Sequence, residues 1–372
     1  MPKVSIVLPT YNGDKWLKES IDSVINQSFC DWELIIVDDC STDDTLSIAN
    51  KYSSMDKRIH VIHNEVNKKL PASLNIGFRR AEGKYLTWTS DDNMYVSDAL
   101  EKMVDFLDKN SQYMMVCTAM RDIDENNSFV KDRREYNDEI MFYNDYVGAG
   151  FMYRREVLDG VGEYDEKLFC VEDYDYWLRI LIKYGTIGYI NEILYIDRIH
   201  NNSLSVSMRD TVLKRRSVLR KKYLDIILDK LNKRPDLLTA IYFEFVEAKE
   251  DTVEIEAKFY KAVKELKKYH KDCGELDTSK HVIIYGAGDF GGRAYKLLGN
   301  MVCYFSDQNP KLVGTLKDNI PVISVEEMMR LKDDYNIVIA VSPGKVYELM
   351  ANLYNNNVKM CYFYQDIIRD RV

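Results

Sequence analysis

The chain has 372 residues, of which 46% are hydrophobic and 30% charged, with a net charge of −9. At about 150 residues per domain this length predicts two or three domains, and the composition excludes fibrous and disordered classes. The acidic balance excludes a duplex-binding protein, which needs a clustered basic surface to neutralise phosphates, so no nucleic-acid partner is expected.

The opening MPKVSIVLPTYNGD carries no basic leader, and no segment reaches the roughly 18 to 20 consecutive apolar residues that span a bilayer. The expectation is a cytoplasmic protein. Seven scattered cysteines without a C-x-x-C pair read as free thiols in a reducing compartment.

Residues 4 to 8 (VSIVL) and 33 to 37 (ELIIV) are apolar strand runs. Between them Trp16, Leu17, Ile21, Val24 and Ile25 form a helical stripe. Ser41-Thr42-Asp43-Asp44 supplies an N-cap signal for a second helix. Further strands are predicted at 59 to 63, 84 to 89 and 113 to 118, with helices at 71 to 82 and at 97 to 109, the latter capped by Ser97-Asp98. Alternating strands and helices with fully apolar strands argue for a mainly parallel sheet covered on both faces. Ligands then bind beyond the carboxyl ends of the strands.

Those ends carry polar clusters: Pro9-Thr10-Tyr11-Asn12, Asp38-Asp39 and Asp91-Asp92-Asn93. Two adjacent acids at a strand end repel each other unless something positive lies near. A divalent cation held by one or two carboxylates and by substrate phosphates answers that need. Farther on, VEDYDYWLRI (171–180) reads as a helix whose Trp177, Leu178, Leu181 and Ile182 form the apolar stripe. Asp173, four residues before Trp177, faces inward, while Asp175 is expected to pair with Arg179 at the surface. Glu172 and Asp173 also suit a helix N-terminus electrostatically.

PTYNG at 9–13, VDDCSTDDT at 37–45, NIGFRRAEGKYLTWTSDDN at 75–93 and VEDYDYWLRI at 171–180 together resemble the family 2 glycosyltransferases. The resemblance covers roughly residues 1 to 205. It implies the GT-A fold and an inverting, metal-dependent transfer of a sugar from a nucleotide-diphosphate donor, UDP-linked, to a saccharide or lipid-linked saccharide in surface polysaccharide assembly. It implies Pro9, Thr10, Tyr11, Asp39, Lys69 and Asp91 as donor contacts, Asp92 and His200 as ligands of Mg²⁺ or Mn²⁺, Gly150 and Glu172 on the acceptor side, and Asp173 as general base. Lys68 and Arg79 join Lys69 as candidate phosphate contacts, whereas Leu74 stands where many relatives have a basic residue. Two rivals stay open: a nucleotidyltransferase on the same sheet, and a non-catalytic nucleotide-sensing or assembly protein.

From about 206 the pattern is helical only: Leu213, Leu219, Tyr223, Ile227 and Leu231, then Leu238, Ile241, Tyr242 and Phe245, then Phe259, Val263 and Leu266. Lys214, Arg215, Arg216, Arg220, Lys221 and Lys222 read as a solvated basic face, or as one resting on anionic lipid at the inner membrane face. Residues 278–372 return to strand and helix. HVIIY leads into Gly286-Ala287-Gly288-Asp289-Phe290-Gly291, and Asp307 ends the next strand, the context of a dinucleotide fingerprint. This part resembles small Rossmann-like domains, with Gly286, Gly288, Gly291 and Asp307 as a second nucleotide site or as a mere scaffold turn. The predicted organisation is α/β throughout: a GT-A domain at 1–205, a helical connector at 206–277 and a Rossmann-like domain at 278–372. Oligomeric state stays open, a homo-oligomer included.

Overall fold

The structure, a computed structural model, describes residues 1–247, 276–356, 358 and 361–363. The expected helical positions Phe259, Val263 and Leu266 lie outside the described residues. The chain forms two compact units, Met1–Lys222 and Tyr223–Val372.

Unit 1 opens with β1 (Val4–Thr10), α1 (Leu17–Ile25), β2 (Trp32–Asp38), α2 (Thr45–Met55), β3 (Ile59–His63), α3 (Leu70–Arg80) and β4 (Tyr85–Trp88). Every residue of β1, β2 and β4 is buried, as parallel strands covered on both faces require. Each fully buried Val, Leu or Ile contributes about 1.5–3 kcal/mol. Helix α1 buries Leu17, Ser20, Ile21 and Val24, the i, i+3, i+4, i+7 stripe of an amphipathic helix. Helix α3 approaches the sheet so closely that a Cβ on Gly77 would stand 2.3 Å from Val7.

The unit continues with β5 (Met94–Tyr95), α4 (Ala99–Lys109), β6 (Met115–Ile123), β7 (Phe129–Arg133), α5 (Asp138–Met141), β8 (Phe151–Arg154), α6 (Arg155–Val161), α7 (Glu172–Tyr184), β9 (Gly188–Arg198), α8 (Leu204–Ser207) and α9 (Arg209–Lys222). The nine strands run β3-β2-β1-β4-β8-β6-β9-β5, with β7 on the edge of β6. Strands β1 to β4 pair in parallel. Strand β8 is inserted antiparallel to both β4 and β6, and β9 returns parallel to β6. The parallel half is the part read from the sequence.

Three local expectations are corrected. Asp175 does pair with Arg179, at 2.7 Å, but its side chain is fully buried and Lys222 closes on its other oxygen at 2.8 Å. Helix α9 is not a solvated basic face along its length, since Arg220 is buried and its guanidinium donates to the Tyr143 carbonyl. Asp98 makes no capping bond to α4. Instead Gln27, reaching from the end of α1, accepts from the Leu100 N–H at 3.0 Å.

Unit 2 contains α10 (Leu224–Lys230), α11 (Pro235–Glu247), β10 (Val282–Tyr285), α12 (Asp289–Leu298), β11 (Val302–Asp307), β12 (Leu316–Lys317), β13 (Ile320–Ser324), α13 (Val325–Leu331), β14 (Asn336–Ile339), α14 (Pro343–Asn355) and β15 (Tyr362–Phe363). Its six strands run β12-β13-β11-β10-β14-β15. All pairs are parallel except the β12–β13 hairpin, a Rossmann-like arrangement. Leu219, Ile227, Leu231, Ile241 and Phe245 are buried as their helical spacing predicts, whereas Leu213 is exposed. Among the described residues no helix is long and apolar enough to cross a membrane.

Candidate functional site

The first strand end closes on the second. Pro9 and Thr10 end β1 in register with Val37 and Asp38, and the Asp39 N–H donates to the Thr10 carbonyl at 2.9 Å. Tyr11, just beyond, is 51% exposed, so one ring face is available for stacking. Asn12 turns with φ 54°, and its side chain accepts from the Thr42 N–H at 2.9 Å. Asp39 is buried. One of its oxygens accepts from Asn64 at 2.9 Å and from the Lys68 N–H at 2.8 Å, the other from the Lys69 N–H at 2.8 Å. Lys69 sits in the left-handed region at φ 74°, a strained conformation for a side chain with a Cβ. Its bond to Asp39 holds it there. Lys69 thus meets the site through its backbone, while its side chain is exposed.

At the end of β4 the three residues of Asp91-Asp92-Asn93 diverge. Asp91 accepts from the Thr10 hydroxyl at 2.5 Å. Burial, and then the charge of Asp92, push Asp91 up to about 7. Gly13 leaves room for this carboxylate, because a Cβ there would stand 2.1 Å from Asp91 Oδ2. Asp92 turns the other way, and its Oδ2 lies 2.9 Å from His200 Nε2. Asn93 accepts from the Arg198 N–H at 2.8 Å.

Sequence reasoning missed Arg198. Its guanidinium is fully buried, donating to the Asp92 carbonyl at 3.1 Å, to Asn127 at 2.6 Å and to Glu19 at 2.7 Å. The surroundings of the acidic pair therefore include a buried arginine and a histidine of the chain itself. Trp16 packs on His200 with ring centroids 4.4 Å apart. The signal was there as Arg198 and His200 on one short segment, but nothing in its spacing names the carbonyl it would serve.

A divalent cation fits the Asp92–His200 pair. Asp92 Oδ1 is buried without a hydrogen-bond partner, and a carboxylate with an imidazole is a donor set suited to Mn²⁺ and tolerable to Mg²⁺. Among the described residues no group of three acidic, imidazole or thiol side chains converges. An ion here would complete its shell with diphosphate oxygens and water.

The second acidic cluster lies at the start of α7. Glu172 is buried with Oε2 unpartnered, and burial pushes it up to about 7 while Arg215 opposes. Asp173 accepts from the Tyr174 N–H at 2.7 Å. Burial, the charge of Asp145 and the charge of Glu172 all hold Asp173 well above the usual carboxylate range. Asp145, also missed from sequence, is fixed by the Val147 and Gly148 N–H groups at 2.9 and 3.3 Å. Ring contacts from Trp88 to Phe151 at 6.0 Å, and from Phe151 to Trp177 at 4.4 Å, tie β4, whose end leads into Asp91, to the helix that carries Asp173.

Other candidates are placed differently. Arg79 is engaged by Glu163 at 2.5 Å, and Leu74 is fully buried in α3. Gly150 has a packing reason, since a Cβ would meet Thr118 Oγ1 at 2.8 Å and Tyr195 Cβ at 3.0 Å. In unit 2 Gly286 has φ 116°, and a Cβ on Gly291 would stand 1.9 Å from the Gly286 carbonyl oxygen. Around Gly288 the space is open. Asp307 accepts from the Ala287 N–H at 2.8 Å.

Residues 5–162 match the profile described as Glycosyl transferase family 2. EpsE of Bacillus subtilis (strain 168), named as a glycosyltransferase, is 44% identical over 125 residues, which are 33% of this chain and 45% of that protein. TuaG of the same organism, named for teichuronic acid biosynthesis, is 31% identical over 55% of this chain and 82% of its own length. The glycosyltransferase MJ1057 of Methanocaldococcus jannaschii is 32% identical over 54% of this chain and 72% of its own.

Among solved structures, S. aureus TarS 1-349 in complex with UDP-GlcNAc superposes with a TM-score of 0.54 at 20% identity, covering 70% of this chain and 79% of that one. The mannosyltransferase PcManGT from Pyrobaculum calidifontis, in complex with GDP-Man and Mn²⁺, gives 0.54 at 17% over 75% and 77%. At these identities the structural likeness speaks for the fold. With the sheet order and the length of the TuaG and MJ1057 matches, the chain belongs to glycosyl transferase family 2 and is a glycosyltransferase of the GT-A fold.

Proposed function

We propose that unit 1 transfers a sugar, with inversion, from a UDP-linked donor to a saccharide acceptor in surface polysaccharide assembly, and that the reaction depends on a divalent cation. The observation that carries this reading is the Asp92–His200 pair, 2.9 Å apart, with the second Asp92 oxygen buried and unpartnered. That is an arrangement short of ligands which a metal diphosphate would supply. Teichuronic acid biosynthesis in the name of TuaG, and UDP-GlcNAc in the TarS complex, support the donor class and the pathway class.

In this mechanism Tyr11 packs on the nucleobase and Asp39, already gripped by three N–H groups, accepts from a ring N–H. Thr10, Asp91 and the turn before Lys69 border the ribose and phosphates. Asp92 and His200 would hold the cation, which supplies charge neutralisation for the departing nucleoside diphosphate. Asp173 takes the proton of the acceptor hydroxyl while that oxygen bonds to the anomeric carbon and the bond to the diphosphate oxygen breaks. Burial, with the charges of Asp145 and Glu172, raises the proton affinity of Asp173, as a base requires. Glu172 and the Gly148–Gly150 loop border the acceptor. A single displacement from the face opposite the leaving group inverts the anomeric carbon.

Calorimetric titration of the full chain with UDP and GDP, with and without Mn²⁺, tests the reading. Metal-dependent binding that prefers UDP supports it. Metal-independent binding, or a preference for GDP, overturns the metal or the donor assignment respectively.

A further inference from the structure

The glycine turn after β10 has the sequence of a phosphate cradle, yet its own acids crowd it. Asp307 accepts from the Ala287 N–H at 2.8 Å, and Asp289 is the first residue of α12. Two carboxylates thus stand at the helix end, where an incoming anion would need positive charge.

The other face of the same sheet differs. Alternate strand residues point to opposite faces, and Val282 and Ile284 join Ala294 and Leu298 in the core on the α12 side. Tyr285 therefore points away from it. On that side Tyr285, Met329 and Leu353 line a cavity of about 550 Å³, whose polar margin includes Glu326, Arg330 and Asn352. Glu326 and Arg330 stand four apart on α13, a spacing at which an acid and a base commonly pair. Neither has an ion-pair partner among the described residues.

We propose that this cavity, and not the glycine turn, binds a nucleotide. Its volume lies within the roughly 300–1,000 Å³ of small-molecule sites. The planar base packs on Met329, above the buried Tyr285 and Leu353, the ribose hydroxyls donate to Glu326, and the phosphate takes the Arg330 guanidinium. A free phosphate would leave Glu326 and Met329 unused. A neutral sugar would leave the guanidinium unused.

The test is calorimetry on the full chain with AMP, GMP, CMP and UMP in turn, without UDP and without divalent cation, so that the metal-dependent unit 1 site stays empty and the unit 2 cavity stays open. One of the four should bind with one equivalent. Arg330→Gln should weaken it by about tenfold or more, and the matching nucleoside without phosphate should weaken by a similar factor. Both Glu326 and Arg330 are exposed helix residues, so these variants keep the fold. The proposal is overturned if none of the four binds, or if Arg330→Gln leaves the affinity unchanged. Gly288→Val has open space for its side chain. If that variant abolishes binding and Arg330→Gln does not, the turn is the site. A failure of the unit 1 reading is seen separately, in the titration with UDP and Mn²⁺, because Arg330→Gln reports on unit 2 alone.

Discussion

Both units end parallel strands in aspartates, and the two sheet edges use them differently. In unit 2 Asp307 is consumed locally: its two oxygens accept from the Ala287 and Asn309 N–H groups, each at 2.8 Å. In unit 1 Asp39 is likewise engaged, by three N–H donors, but other carboxylates are only half spent. Asp92 and Glu172 each keep a buried oxygen without a partner, and Asp91 and Asp173 are held above the usual carboxylate range. An acid at a strand end is therefore not a site by itself. What separates Asp307 from Asp92 and Glu172 is whether the surroundings of the acid have already met its hydrogen-bonding capacity.

The comparison is broken most directly at Asp173. Asp173→Asn keeps the shape and removes the proton acceptor, so kcat should fall by on the order of 10³ while UDP affinity changes little. Turnover at the wild-type rate would sink the assignment of the base and leave unit 1 with acids as idle as Asp307. Asp92→Ala comes next. It should lower Mn²⁺-dependent UDP affinity by about 100-fold, since even an outer-sphere partner of a metal costs roughly 10–100-fold. Calorimetry with and without Mn²⁺ reads this, and an unchanged metal dependence would remove Asp92 from the site.

Asp145→Asn sharpens the comparison. Asp173 is raised first by burial and then by the charge of Asp145, so kcat should decline as pH falls through that raised value and the base becomes protonated. Removing the Asp145 charge lets Asp173 lose its proton at lower pH. The acid limb of the kcat profile should move down by about one unit, with little change at high pH. A limb that stays in place would show that Asp145 serves only its loop, through the Val147 and Gly148 N–H groups.

How far these groups were legible follows from their range in sequence. Strands β1 to β4 and their helices were readable, because continuous apolar runs and a 3.6-residue stripe are local signals. Strands β7 to β9 were not, since β8 is a four-residue strand whose place between β4 and β6 is fixed only in the folded sheet, where Tyr153 pairs with both Leu86 and Met115, far upstream in sequence. Asp39, Asp92, His200 and Asp173 could be named as candidates from the family resemblance. Arg198 and Asp145 could not, because an arginine that serves a distant carbonyl and an acid that caps its own loop leave no periodic trace. Asp175 shows the limit of local pairing rules. Its i, i+4 partner was foreseen, but its burial depends on Lys222, 47 residues away.

The smallest effect is expected on the quiet side of the comparison. Asp307→Ala removes two acceptors from backbone N–H groups, each net bond contributing about 0.5–1.5 kcal/mol. Unit 2 should therefore lose roughly 1–3 kcal/mol of stability by chemical denaturation, with sugar transfer unchanged at temperatures where it remains folded. Because the Asp307 carboxylate also stands at the glycine turn, the same variant discriminates between its two uses. If Asp307 were held in reserve for a ribose, its loss would weaken nucleotide binding more than it weakens the fold. If it is spent on the turn, stability falls and nucleotide affinity follows Arg330 instead. The second outcome is expected, because both of its oxygens already have N–H donors of the turn itself at 2.8 Å.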